Sequence, residues 1–183
     1  RDFTINTLAI SLNNKTYGDL IDPFNGMEDL KNKTIRTPLD PTKTFSDDPL
    51  RMMRAIRFAS QLKFKINKEC FKGIVDNKDR LQIVSNERII LELEKILLSE
   101  KPSSGFKLLF EANLLNDFFP ELADLQGVET INGFSHKDNF FHTLKVVDNV
   151  RKKTDNIWLL WAALLHDIGK PKTKKFNEKI GWT

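Results

Sequence analysis

The apolar pattern of the 183-residue chain changes at Asp48, and this change constrains the fold more than any other feature. Before Asp48 the apolar runs are short and are interrupted by turn residues, which is typical of small strands and loops. After Asp48 apolar residues recur at helical spacing. The sequence therefore predicts a mainly α-helical protein, in which a small N-terminal α/β part precedes a helical body.

The N-terminal part is predicted to hold a few short elements joined by turns. They are a strand or helix start in 3–12, a strand in 16–21, a helix in 27–31, a strand in 34–37 and an extended linker in 38–41. Asp48 followed by Pro49 is typical of a helix start, with Asp48 as the N-cap. Helices are predicted in 49–62, 68–77, 88–98, 104–112, 139–153 and 157–169.

The helix that begins at Asp48 is predicted to carry three arginines on one face. At about 100° per residue they lie within a sector of roughly 120°. The three are Arg51, Arg54 and Arg57, and the residues expected on the opposite, core-facing side are Met52, Ile56 and Ala59. Spacing alone leaves two interpretations open, a solvated basic surface and a nucleotide site.

The chemistry of Asp48 and Arg51 favours a nucleotide site, because a carboxylate only accepts hydrogen bonds and a guanidinium only donates them. Cytosine and adenine each present an amino donor beside a ring-nitrogen acceptor, whereas uracil and guanine present the reverse order. The pair can therefore accept C and A and reject U and G, since a wrong base leaves buried polar groups unpaired. The remaining arginines can hold phosphates.

Four motifs, in chain order, resemble those of the bacterial-type (class II) tRNA nucleotidyltransferases and poly(A) polymerases. They are Arg-Asp-Phe-Thr-Ile-Asn at 1–6, Asp-Pro-Phe-Asn-Gly at 22–26 with Asp-Leu at 29–30, Asp-Asp-Pro-Leu-Arg at 47–51 and Ser-Asn-Glu-Arg-Ile at 85–89. The resemblance covers about residues 1–125, and extends to the end of the chain if HD-containing members are included. It implies template-independent addition of CCA to tRNA, or of A to other RNA 3′ ends, from CTP and ATP.

The resemblance also implies roles for individual residues. The residues expected to contact the incoming ATP or CTP are Arg1, Asp48, Arg51, Arg54 and Arg57. The carboxylates that hold Mg²⁺ for nucleotidyl transfer are expected N-terminal to Arg1, so no catalytic residue is expected in this chain. Asp2 and Asp22 are expected to be structural, and Glu87 with Arg88 is expected to form an ion pair that braces the arginine-bearing helix.

Domain boundaries follow from the same motifs. Residues 1–45 are expected to be the C-terminal part of a nucleotidyltransferase head domain, and 46–125 a helical neck and body domain that recognises nucleotide and RNA. Residues 126–183 are expected to be the start of an HD domain.

A second site is indicated by the histidines. His142 lies on a predicted helix with an apolar face, and the pair His166-Asp167 ends the next predicted helix. This order resembles the HD metal-dependent phosphohydrolases, which implies that His142, His166 and Asp167 bind a divalent metal such as Mn, Ni, Fe or Zn. A fourth ligand, an aspartate, is expected beyond Thr183, and His136 is expected in a loop.

Composition and charge exclude some classes and leave two alternatives open. The net charge of +4 suits a polyanionic partner such as RNA. No apolar run approaches the roughly 18 residues that span a bilayer, and the single cysteine, Cys70, favours the cytosol. The alternatives are an HD-type phosphohydrolase with a nucleotide-binding N-terminal region, and a non-enzymatic RNA-binding module.

Overall fold

The computed structural model describes residues 1–127, 130–131, 134–135, 138–173, 176–177 and 181–182. The chain divides into two compact units, residues 1–93 and residues 94–183. Helices dominate both units, and the described strands are each two residues long. The prediction of a mainly α-helical protein with a small N-terminal α/β part is therefore confirmed.

The first unit begins with a 3-10 helix, Thr4–Asn6, followed by a hairpin of two antiparallel strands, β1 (Ala9–Ile10) and β2 (Leu20–Ile21). The predicted strand over 16–21 is confined to its last two residues. The reason is a turn in which the Asp19 N–H binds the Thr16 carbonyl and Gly18 adopts a φ of 89°.

Helix α1 (Gly26–Lys31) is fixed at its N-terminus by Asp22. The Asp22 carboxylate accepts hydrogen bonds from the backbone N–H groups of Gly26, at 2.7 Å, and Met27, at 2.9 Å. The bond from Met27 holds the pKa of Asp22 below its ordinary value. A Cβ at Gly26 would lie 2.4 Å from the Thr4 carbonyl oxygen, so only glycine fits here. Asp22 therefore has the structural role expected of it.

Strand β3 (Thr34–Ile35) pairs in parallel with β4 (Lys65–Ile66), and two helices connect them. The second of these, α3 (Leu50–Leu62), begins one residue after the predicted start, and the predicted core-facing residues Met52, Ile56 and Ala59 are buried. The first, α2 (Pro41–Asp47), was not predicted. Its N-cap is Asp40, whose carboxylate accepts the Lys43 N–H at 2.8 Å.

Three further elements complete this part of the chain: α4 (Lys68–Asn77), a 3-10 helix (Lys78–Ile83) and α5 (Asn86–Leu97). Helix α4 packs closely on α2, since a Cβ at Gly73 would lie 2.7 Å from the Cβ of Pro41. Helix α5 starts after Ser85, whose carbonyl accepts the Arg88 N–H. It crosses from the first unit into the second.

The second unit is built around three longer helices. Its helices are α6 (Pro102–Glu111), α7 (Leu115–Phe118), α8 (Pro120–Ala123), α9 (Asn139–Arg151), α10 (Ile157–Leu165) and α11 (Lys170–Thr173). The strand pairs, both antiparallel, are β5 (Thr130–Ile131) with β6 (Phe134–Ser135) and β7 (Phe176–Asn177) with β8 (Gly181–Trp182).

Helix α9 packs against both α6 and α10. The rings of Phe110 and Phe140 lie 4.8 Å apart, and Asp148 accepts the Ser103 N–H at 2.9 Å. Helix α10 ends at Leu165, four residues before the predicted end, and a turn follows it. None of the helices described in either unit has the length and apolar character required to cross a bilayer.

Candidate functional site

Asp48 lies between the end of α2 and the first turn of α3, in extended backbone with a φ of −145°. The N-cap of α3 is Pro49, and no side chain caps this helix. The prediction that Asp48 is the N-cap is therefore wrong. Its backbone carbonyl accepts the Arg51 N–H, while its carboxylate faces two guanidinium groups.

The two guanidinium groups flank the Asp48 carboxylate. Asp48 Oδ2 lies 3.8 Å from Nε of Arg51, and Asp48 Oδ1 lies 3.8 Å from Nη2 of Arg88. A charge-assisted hydrogen bond between such groups is about 2.7–2.9 Å long. Asp48 is thus held by charge without a hydrogen bond to either arginine, and its side chain, 36% exposed, can accept hydrogen bonds from a ligand.

Arg51 is anchored at the end of α2. Its Nη1 donates to the Thr44 carbonyl at 3.2 Å, and Nη2 of Arg80 donates to the neighbouring Ser46 carbonyl at 2.9 Å. Cations suit this position because the last carbonyls of a helix carry partial negative charge. The contact fixes the Arg51 guanidinium through Nη1, while its Nε faces Asp48.

Arg54 forms an ion pair with Asp2. Its Nη2 and Nε lie 2.5 and 2.7 Å from Asp2 Oδ2, and Asp2 also accepts hydrogen bonds from Asn6 and the Phe3 N–H. Burial raises the pKa of Asp2, but the hydrogen bonds from Asn6 and Arg54 and the Arg54 charge outweigh it, so this pKa lies below its ordinary value. Asp2 is therefore ionised and holds Arg54, a structural role as expected.

Arg57 is the most buried of the three arginines of α3. Its Nε lies 2.8 Å from Oε2 of Glu92 on α5, and the two side chains are only 12% and 4% exposed. The guanidinium carbon also lies 4.0 Å from the centre of the Phe58 ring. Burial holds the pKa of Arg57 below its ordinary value, although the negative charge of Glu92 raises it in part. The ion pair between Arg57 and Glu92 thus connects α3 to α5.

The remaining residues that the sequence assigned to the nucleotide site or its support are Arg1, Glu87 and Arg88. Arg1 is exposed and adjoins Asp2, the partner of Arg54. The predicted ion pair between Glu87 and Arg88 is not among the described contacts. Neighbouring residues on a helix do not face each other. Glu87 instead accepts hydrogen bonds from its own backbone N–H and from Ser85, which hold its pKa below the ordinary value.

The second site lies in the second unit, where α9 meets the end of α10. His142, His166 and Asp167 each offer a ligand atom, and these atoms lie within 4.8 Å of one another. Ligands around a divalent metal at about 2.1 Å lie about 3 to 4.2 Å apart, so small side-chain shifts would complete the geometry. Two imidazoles and one carboxylate suit a divalent transition metal.

The protonation of His166 also suits metal binding. Its Nδ1 lies 2.8 Å from the Ala163 carbonyl, which can only accept, so Nδ1 donates there and Nε2 is the nitrogen of the neutral ring that can bind a metal. Asp167 is buried, and its Oδ2 lies 3.3 Å from His166 Nε2 and 2.8 Å from Lys170 Nζ. Lys170, which was not identified from the sequence, neutralises this carboxylate.

The one cysteine of the chain, Cys70, shows no sign of a reactive site. Cys70 is buried, and burial raises its thiol pKa to about 12, so the thiol stays protonated. His136 lies outside the described residues. Glu92 was missed, although it left a signal: it is a carboxylate at a core position of α5, between the buried Ile89 and Ile96.

Three family models match successive stretches of the chain. They are the poly(A) polymerase head domain over residues 1–36, the "probable RNA and SrmB-binding site of polymerase A" over 63–126 and the HD domain over 139–182. Proteins that contain an HD domain are generally metal-dependent, which agrees with the ligand cluster of the second unit.

The curated relatives are similar over most of the chain. The CCA-adding enzyme of Anoxybacillus flavithermus is 46% identical over 123 residues, which cover 67% of this chain and 30% of that enzyme. The multifunctional CCA protein of Mannheimia succiniciproducens is 37% identical over 186 residues, which cover 96% of this chain and 43% of that protein. The chain thus spans less than half the length of these relatives.

Solved structures of similar proteins share the fold. A tRNA nucleotidyltransferase complexed with a primer tRNA and an incoming ATP analogue has a TM-score of 0.68 and 29% identity, over 91% of this chain and 48% of that one. An apo form of a tRNA-processing enzyme has a TM-score of 0.70 and 30% identity, over 93% and 49%. On its motifs, its domains and these likenesses, the chain belongs to the tRNA nucleotidyltransferase and poly(A) polymerase family, as a member with an HD domain.

Proposed function

We propose that the chain is the nucleotide-selecting part of an RNA nucleotidyltransferase that adds C and A to the 3′ end of tRNA. The observation that carries this proposal is the Asp48 carboxylate, which lies between two guanidinium groups and hydrogen bonds to neither. Its substrates are CTP, ATP and a tRNA 3′ end. The site of action is the cytoplasm, in keeping with a single cysteine that stays protonated.

Selection needs no nucleic-acid template in this scheme. Asp48 accepts a hydrogen bond from the amino group of cytosine or adenine, while Arg51 donates to the ring nitrogen beside it. Uracil or guanine would set a carbonyl against the carboxylate and an N–H against the guanidinium. Both contacts would then be lost and their polar groups left unpaired, so the wrong base is rejected.

The other arginines support this pair in different ways. We assign Arg1, which is exposed, and Arg54, whose side chain is 34% exposed, to the phosphates and sugar of the nucleotide. Arg57 is largely buried against Glu92, so its part in nucleotide binding is to hold α3 in place. The domain boundaries at 45/46 and 125/126 belong to the same proposal.

Nucleotidyl transfer also requires Mg²⁺, which activates the attacking hydroxyl and neutralises the leaving pyrophosphate. In the first unit, the Asp2 carboxylate is held by Arg54, and the Asp22 carboxylate accepts the N–H groups at the start of α1, so neither is offered to Mg²⁺. We assign Mg²⁺ to the carboxylate pair that the family resemblance puts ahead of Arg1. The residues of this chain select and orient the nucleotide.

Extension of tRNA by the intact protein tests the proposal. We expect tRNA lacking its CCA end to gain cytidines with CTP alone, and to gain the terminal adenosine when ATP is also present. UTP and GTP should give no extension. Long adenosine tails from ATP alone would replace the CCA assignment by poly(A) addition. Failure to extend RNA with either CTP or ATP would contradict the proposed function.

A second function is favoured by the ligand cluster of the second unit, and we propose that it holds a divalent transition metal. His142, His166 and Asp167 would be its ligands, and the metal would supply an activated water for hydrolysis of phosphate esters. Lys170 orients Asp167 for this role, and the Ala163 carbonyl orients His166.

Metal analysis checks this prediction. We expect about one transition-metal ion per intact protein, lost in a His166→Ala, Asp167→Ala double variant, because two of the three donors are removed. The single variant Asp155→Ala, which removes an exposed carboxylate of the same unit outside the ligand cluster, is the control and should keep the metal. Equal metal content in the wild type and the double ligand variant would return both histidines to a structural role.

A further inference from the structure

Arg88 occupies a position that the stability of its own helix does not explain. It lies in the first turn of α5, where the helix dipole favours anions and disfavours cations. Its side chain is 54% exposed, so packing contributes little. Glu87, beside it, is the residue type that suits this end of a helix. A residue type that is unfavourable at its position in a helix, and whose burial does not compensate for this, is expected at functional sites.

The one described partner of the Arg88 guanidinium is Asp48. Nη2 of Arg88 faces Oδ1 of Asp48, and Nε of Arg51 faces Oδ2, each at 3.8 Å. The three side chains therefore present a donor, an acceptor and a second donor in a row. Because neither distance is that of a hydrogen bond, both guanidinium groups retain N–H groups for a ligand.

Such a row complements the edge of a nucleobase that offers an acceptor, a donor and a second acceptor in that order. Adenine offers this order in its ring nitrogen N1, its N6 amino group and its ring nitrogen N7. Cytosine offers only the first two groups, N3 and N4, because the next position along its edge is a C–H. The row can therefore bind both bases but makes one more hydrogen bond with adenine.

We infer that Arg88 is a specificity-determining residue that donates to N7 of adenine, while Asp48 accepts from N6 and Arg51 donates to N1. Arg88 thus favours ATP over CTP in a site that accepts both. The inference rests on the proposed function, since it concerns the same nucleotide site. It extends that function from rejection of wrong bases to the choice between the two correct ones.

Binding of ATP, 7-deaza-ATP and CTP to the intact protein, measured by calorimetry, tests the inference. In 7-deaza-ATP a C–H replaces N7. For the wild type we expect 7-deaza-ATP to bind about three- to ten-fold more weakly than ATP, the range for one partly solvated hydrogen bond. Arg88→Ala should bind ATP as weakly as 7-deaza-ATP and bind CTP as the wild type does. Arg88→Lys should restore part of the preference.

Arg80→Ala is the matched control, because Arg80 is another exposed arginine that contacts α2 but does not face Asp48. It should keep the wild-type ratio of ATP to 7-deaza-ATP binding. The inference would be overturned if Arg88→Ala lost ATP and CTP binding equally. It would also be overturned if this variant still bound ATP more tightly than 7-deaza-ATP. Binding is measured without RNA transfer, so failure to extend tRNA would refute the proposed function separately.

Discussion

Replacing Glu92 by alanine is expected to lower the free energy of unfolding by about 3–5 kcal/mol, the range for removing one partner of a buried ion pair. The reason is Arg57, whose guanidinium would stay buried without its carboxylate. The two side chains are 12% and 4% exposed, and their charged atoms lie 2.8 Å apart. The midpoint temperature of thermal unfolding should decrease by about 10 °C.

The expected loss of stability comes mainly from the unpaired charge left on Arg57, and less from the net stabilisation that the ion pair provides. Moving both charges out of water is costly, so an apolar pair of similar volume can be as stable. The double variant Arg57→Met, Glu92→Leu is therefore expected to recover most of the stability that Glu92→Ala loses. Because α3 carries Arg51 and begins two residues after Asp48, Glu92→Ala should also weaken nucleotide binding, and the double variant should restore it.

Glu94→Ala is the matched control, because Glu94 lies on the same helix at a half-exposed position. It should change the free energy of unfolding by less than about 0.5 kcal/mol, as is usual for surface substitutions. Chemical denaturation of the intact protein, followed by circular dichroism, measures all three variants. A Glu92→Ala variant as stable as Glu94→Ala would mean that Arg57 reaches solvent, and would refute the bracing role.

The helices with strong periodicity could be predicted from the sequence, and the short ones could not. Helix α3 was predicted with its buried face because thirteen residues repeat one apolar pattern. Helix α2 was missed, although Asp40-Pro41 carries the same start signal as Asp48-Pro49. A seven-residue helix has too few turns for its pattern to exceed that of a loop. It forms because α4 packs against it closely at Gly73.

The site residues were predictable by type and their partners were not. A helix pattern puts Arg51, Arg54 and Arg57 on one face, but only tertiary packing decides what each one meets. Those partners come from distant parts of the chain: Asp2 is 52 residues from Arg54, and Glu92 belongs to another helix. The role of Asp48 illustrates the same limit. The local signal predicted a cap, and the fold turned its carboxylate between two arginines.

Replacing Asp48 by alanine is expected to reduce discrimination against UTP and GTP by about 1–3 kcal/mol, the range for one good base contact. Without the carboxylate, a uracil or guanine carbonyl no longer meets an acceptor, so the wrong bases lose their penalty. Addition of C and A should slow at the same time. The fold should persist, because the Asp48 side chain does not cap α3 and makes no hydrogen bond there.

Two variants sharpen the Asp48 experiment. Asp48→Asn keeps the shape but adds an amide donor, so it should admit UTP and GTP more readily than Asp48→Ala does. Asp47→Ala removes the adjacent carboxylate, which is exposed at the end of α2, and should keep the wild-type discrimination. The measurement is kcat/KM for each of the four nucleotides with tRNA lacking its CCA end.

The pattern across the variants identifies the residue that reads the base. If Asp48 does so, its two variants relax selection by different amounts, and thermal unfolding of both stays close to that of the wild type. If Asp48 only shapes the turn between α2 and α3, both variants lower all four kcat/KM values together. Wild-type discrimination in Asp48→Ala would exclude this carboxylate from base selection. Selection would then have to come from the guanidinium groups of Arg51 and Arg88 alone, which offer donors and no acceptor for an amino group.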